Sequence, residues 1–140
     1  MYQVVIDTNV LVAAMRSKLG ASHHLLSRLG DGRWRPNLTV AMMLEYEAVL
    51  KRNYREFGLT GDDIDDALDA ICSQAGLHRL YFVWRPVASD PNDDLVMEAA
   101  IASHSGFIVT FNKRDFAGSQ RFGIRCLTPK EFLILLERQP

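Results

Sequence analysis

The chain has 140 residues, enough for one compact core and too few for two ordinary ones, so a single domain over 1–140 is expected. It is 48% hydrophobic, 24% charged and 9% aromatic, which excludes disorder, a fibre and a coiled coil. Sixteen Lys and Arg against seventeen Asp and Glu leave a formal charge of -1, which excludes a uniformly basic nucleic-acid coat but not charges segregated by face.

The run 2–6 (YQVVI) is apolar and β-branched and stops at Asp7-Thr8-Asn9, which predicts a buried central strand ending in a polar loop. Residues 9–16 and 20–29 read as helices, the second stopped by Gly30-Asp31-Gly32. A short extended piece at 33–39 leads into a helix over 40–52, with Met43, Leu44, Val49 and Leu50 on its apolar side. The polar cluster 60–63 caps an amphipathic helix over 62–74 that ends at Gly76. Residues 80–84 (LYFVW) read as a strand, 90–93 as a turn and helix start, and 94–103 as an Ala-rich helix. A buried strand at 107–110 (FIVT), a loop over 111–123, a short strand at 124–127 and a helix opened by Thr128-Pro129 complete the chain. Strands alternating with helices imply parallel pairing through right-handed crossovers. The expected fold class is α/β, a three-layer α/β/α sandwich around a mostly parallel sheet.

No apolar run is long enough to span a bilayer, and the start lacks the basic and long apolar stretches of a signal peptide. A cytoplasmic protein with no membrane partner is expected. Cys72 and Cys126 sit in apolar runs without CxxC or CxxH spacing, and read as buried thiols in a reducing compartment. His23, His24, His78 and His104 show no zinc-ligand spacing either.

In open α/β sheets, sites collect beyond the carboxyl ends of the strands, where strand order reverses. Acids or amides follow several predicted strands: Asp7 after the first, Asp90 and Asp93 after 80–84, and Asn112 and Asp115 after 107–110, while Glu45 lies on the helix after 33–39. Each alone reads as a cap, a loop residue or a solvated charge. Jointly, carboxylates gathered at one sheet edge repel one another, and a bound cation relieves that repulsion. An oxygen-only set suits Mg²⁺ or Mn²⁺, and the chemistry that follows is metal-assisted phosphodiester hydrolysis.

Taken together, VVIDTNVL at 4–11, Leu44-Glu45 in a helix, Asp90-Pro-Asn-Asp93-Asp94, and IVT at 108–110 followed by Asn112 and Asp115-Phe116 resemble the PIN-domain nucleases, in particular the VapC-like toxin branch of bacterial toxin–antitoxin systems. The likeness runs over nearly the whole chain in the family's order of elements. It implies a divalent-metal-dependent endoribonuclease acting on single-stranded or structured RNA, usually a homodimer, inhibited by an antitoxin encoded beside it. On that resemblance Asp7 is the first metal ligand, Glu45 the helix-borne second acid and Asp93 the third, and all three are catalytic. Asp90 belongs to an extra acidic turn, Thr8 and Asn9 brace the first aspartate, and Thr110 supplies the hydroxyl after the fourth strand. The sequence departs at Asn112, where many relatives carry aspartate. The fourth catalytic and metal-binding acid is therefore assigned to Asp115, with Asn112 in support.

Basic residues flank these acids: Arg16 and Lys18 after the first helix, Lys51, Arg52 and Arg55 beyond Glu45, and Lys113 with Arg114 beside Asp115. Arg16, Lys113 and Arg114 are the candidate RNA-phosphate contacts, with Tyr46, Tyr54 or Phe116 available to stack on bases. Leu11, Leu25 and Leu26 can offer an antitoxin groove, or serve as core or dimer contacts. Two other readings compete. A haloacid-dehalogenase-like phosphatase also opens with a strand ending in aspartate, but its second aspartate is Asn9 here and no cap domain is visible. A non-catalytic or degenerate PIN-fold binding module would have no use for four mutually repelling acids.

Overall fold

The computed structural model describes residues 1–78 and 91–138. Along them run β1 (Tyr2–Ile6), α1 (Thr8–Arg16), α2 (Ala21–Leu26), β2 (Trp34–Thr39), α3 (Val40–Asn53), α4 (Gly61–Gln74), β3 (Gly76–His78), α5 (Pro91–Ala102), β4 (Phe107–Val109), β5 (Arg125–Leu127) and α6 (Pro129–Glu137). Two 3₁₀ turns, Lys113–Phe116 and Ser119–Phe122, occupy the stretch between β4 and β5 that reads from sequence as a plain loop. The expected strand at 80–84 and Asp90 lie outside the described residues. α4 ends at Gln74 as expected, and Gly76 also opens β3.

The five strands form one sheet in the order β3-β2-β1-β4-β5, and every pairing is parallel. Helices flank the sheet, so the α/β sandwich expected from the alternation of elements is the fold observed. The chain lays β2 and β3 to one side of β1 and then crosses to build β4 and β5 on the other. The reversal therefore falls between β1 and β4, and whatever follows those two strands shares one edge.

Local chemistry sets the element ends. Thr39 closes β2 and caps α3, its hydroxyl accepting the Met42 N–H at 3.2 Å. Thr60 with Asp63 and Thr128 with Glu131 form reciprocal capping boxes at the starts of α4 and α6. At the end of the sheet away from Asp7, Tyr2, Trp34 and Phe107 open their strands and meet Phe132 of α6 edge-on or tilted, with ring centroids 5.8–6.1 Å from its ring. Val4, Val5, Ile108, Val109 and Leu38 fill the middle of the sheet. Leu11 and Leu25 are fully buried in this core and so are core side chains, whereas Leu26 is half-buried, packs against the core and lines a shallow pocket. Cys72 and Cys126 are free, partly buried thiols. Among the described residues no helix is long and apolar enough to cross a membrane.

Candidate active site

The β-branched run Val4-Val5-Ile6 belongs in the core, and Asp7 is the first residue the chain can turn outward after it. Its N–H still bonds Val109 O of β4 at 2.9 Å, so Asp7 is locked to the reversal point of the sheet. It also occupies the N-cap position of α1, where the backbone N–H groups of Thr8 and Asn9 face its carboxylate. The Thr110 hydroxyl, itself fully buried, donates to Asp7 Oδ2 at 2.7 Å and accepts the Asn112 N–H at 3.0 Å. One hydroxyl thus ties the first acid to the loop that carries the fourth.

Burial is the largest influence on Asp7, which is 8% exposed, and it pushes the carboxyl above the usual aspartate range. The Thr110 hydroxyl and the two N–H groups pull the other way, and the Asp115 charge adds to the rise. That last effect is the repulsion expected of acids gathered at one edge.

Glu45 arrives from α3. Its neighbour Tyr46 is buried, and the phenol donates a hydrogen bond to the Ile6 carbonyl, which fastens α3 to the end of β1 one residue away from Glu45. Asp93 stands in the first turn of α5, and α5 packs against β1, β2 and β4. Asp115 sits in the 3₁₀ turn after β4, anchored by the buried Phe116. Asp7, Glu45, Asp93 and Asp115, spread across the sequence, line a single cavity of about 910 Å³ together with Thr8, Asn9, Arg16, Phe111 and Asn112. Residues 8, 9, 12, 13 and 16 of α1 supply one wall at helical spacing, and Val49 joins Glu45 from one turn further along α3.

Asn112 and Asp115 both reach the cavity, so the loop after β4 presents an amide and an acid together. Arg16 is the only basic side chain lining it among the described residues. Its guanidinium is held by Glu56 at 3.4 Å and lies 5.9 Å from the Phe57 ring centroid. Lys113 instead pairs with Glu131 at 3.0 and 3.3 Å, and Arg114 is exposed beside it. Tyr46 and Phe116 are buried and cannot stack on a base, which corrects that expectation. Phe111, Val12 and Ala13 escaped sequence reading as site residues, and Val49, read as part of the apolar side of its helix, lines the cavity as well. Position was the available signal for Phe111, because it directly follows a strand end.

Glu131 joins two devices, the cap of α6 and the tether of Lys113. The Thr128 N–H and then Lys113 hold its carboxyl below the usual range. Glu131→Ala is expected to cost about 1 kcal/mol, largely from the cap because the ion pair is exposed. Glu131→Gln should cost less, and calorimetric midpoints of the two variants measure the difference.

No three His, Cys, Asp or Glu side chains among the described residues stand close enough to form a ready-made metal cage. The donor chemistry nevertheless fits a hard divalent ion. The cavity wall carries carboxylates, amides and hydroxyls and no Cys or His, and Asn9 Oδ1 is a buried acceptor with no hydrogen-bond donor. Mg²⁺ keeps several waters and is commonly held through one or two carboxylates, so a roomy cavity with several oxygen donors on its wall suits it.

The model of the PIN domain matches residues 3–114, and the chain belongs to that family. Among solved structures, it is similar to a chain of VapBC2 from Rickettsia felis bound to a DNA fragment from their promoter. That match has 14% identity and a TM-score of 0.58, and covers 90% of this chain and 98% of that one. At that identity the likeness speaks for the fold. No curated protein matches the sequence.

Proposed function

We propose that this protein is a divalent-metal-dependent endoribonuclease and the toxin of a toxin–antitoxin pair. The observation that carries the reading is the meeting of Asp7, Glu45, Asp93 and Asp115 in one cavity at the reversal point of a parallel sheet. Membership of the PIN family supports nuclease chemistry. The fold shared with a chain of VapBC2 supports an antitoxin partner.

In this reading Asp7 and Asp93 hold the principal Mg²⁺ or Mn²⁺, Asp115 completes a weaker second position, and Glu45 orients the attacking water. When bound, the metal supplies Lewis acidity toward the phosphate and activates water at neutral pH. Thr110, Thr8 and Asn9 hold Asp7 in place, Asn112 supports Asp115, and Arg16 and Arg114 contact flanking phosphates. Lys113, paired with Glu131 at the surface as Arg16 is with Glu56, is the third phosphate contact. The chain works as a homodimer over its single domain 1–140.

Metal removal tests the reading directly. Cleavage of an unstructured RNA should stop in EDTA and return with Mg²⁺ or Mn²⁺, and calorimetry should show Mn²⁺ binding by the wild-type chain. Expression should arrest growth unless the small protein encoded beside this one is co-expressed. Metal-independent cleavage, or no Mn²⁺ binding, overturns the metal-dependent reading, and no cleavage with either metal overturns the nuclease reading. Growth arrest that the neighbouring protein does not relieve overturns the pairing.

A further inference from the structure

We propose that Phe111 is the base-stacking platform of this cavity, its ring receiving the unpaired nucleobase next to the scissile phosphate. The inference rests on the nuclease reading and adds what selects the substrate: a single-stranded RNA nucleotide at the cut.

Phe111 lines the acidic cavity and is 49% exposed, although a phenylalanine is ordinarily driven into the core. Its place is fixed from both sides. The Thr110 N–H bonds Leu127 O at 2.9 Å, and the Asn112 N–H bonds Thr110 Oγ1 at 3.0 Å. That same hydroxyl donates to Asp7 Oδ2, so the ring is carried by a backbone whose neighbour is bonded to the first acid. Thr110 before it and Phe116 after it on the same stretch are buried, while Phe111 is not. The backbone that carries the ring is therefore held at a set place beside the acids.

The rest of the cavity matches the other parts of a nucleotide. Carboxylates and Arg16 address the phosphodiester, and Val12, Ala13 and Val49 add an apolar wall. Its volume of about 910 Å³ is near the top of the range of about 300–1,000 Å³ for small-molecule sites and far exceeds what a phosphate alone needs. A base within a duplex has both faces covered by its neighbours, so only an unpaired one can lie on the ring. Tyr46 and Phe116 are buried, which leaves Phe111 as the cavity-lining aromatic among the described residues.

The test is steady-state cleavage of a short unstructured oligoribonucleotide by the full chain with Mg²⁺, alongside oligonucleotides carrying one abasic residue stepped past the cut. In the wild type, one abasic position should raise KM about tenfold. In Phe111→Ala that penalty should fall below about twofold, because the platform is already gone. Phe111→Trp should restore it, and Phe111→Leu, apolar and of similar bulk, should not. Thermal midpoints check folding, and the Leu and Trp variants carry the comparison if Ala fails to fold. Equal abasic penalties in the wild type and Phe111→Leu overturn the proposal while leaving the nuclease reading intact. A wild-type chain that cuts no RNA overturns both.

Discussion

Asp7→Asn should lower metal-dependent RNA cleavage by on the order of 100-fold or more and raise the thermal midpoint at neutral pH. The two effects have one cause. The Asp7 carboxylate is desolvated by burial and repelled by Asp115, and the donors around it offset only part of that cost. Its pKa in the folded state therefore lies above the unfolded value near 3.8. A carboxyl raised in this way binds its proton more tightly when folded, so stability declines as pH climbs from the unfolded value through the folded one and stays reduced at pH 7. An asparagine at this position keeps one acceptor oxygen for the Thr110 hydroxyl and has no charge to desolvate. We expect a gain of about 1 kcal/mol, a few degrees in Tm, that shrinks as pH is lowered toward about 4. Millimolar Mg²⁺ or Mn²⁺ should narrow the gap by stabilising the wild type. Calorimetry across pH, with and without metal, reads all three effects. A variant less stable than wild type at pH 7 would contradict the account.

Tyr46→Ala is expected to be the most damaging change to the fold near the site. Tyr46 is 2% exposed, and truncating a buried aromatic side chain costs about 3–5 kcal/mol. Burial first, and the Asp7 charge second, raise the phenol pKa far beyond the working range, so it serves as a permanent donor to the Ile6 carbonyl. Tyr46→Phe keeps the packing but leaves that carbonyl without this donor, at about 1–3 kcal/mol. Because Tyr46 fastens α3 beside Glu45, the Phe variant should also lose cleavage at temperatures where it remains folded. Urea denaturation of both variants, with cleavage assayed well below the midpoint, separates the stability effect from the positional one. Wild-type stability in Tyr46→Phe would show that the hydrogen bond contributes nothing.

The parts legible in the sequence were those with a local signature. An apolar β-branched run halted by Asp7-Thr8-Asn9 can only be a central strand whose next residue meets solvent at the sheet edge. The capping pair Thr128 and Glu131 with Pro129 marked α6 as firmly. What stayed hidden depends on distant neighbours. Gly76–His78 carries no β-branched residue, and becomes a strand through pairing with Asn37, Leu38 and Thr39 of β2. That Lys113 pairs with Glu131 could not be read locally either, because the two lie 18 residues apart. Tyr46 and Phe116 have the right ring for stacking on a base, but packing against partners remote in sequence takes them out of reach. Phe111 has no periodicity to betray it.

The crossing of the chain to the far side of β1 also governs when the cavity comes into being during synthesis. A growing polypeptide already holds Asp7, Glu45 and Asp93 once α5 has been made, yet Thr110 and Asp115 are still to come, and the Thr110 N–H finds its acceptor only when Leu127 of β5 is laid alongside. The pocket thus assembles late, from pieces made early and pieces made last. A chain still being translated carries three of the four cavity acids without the Thr110 and Asp115 side chains that complete the arrangement.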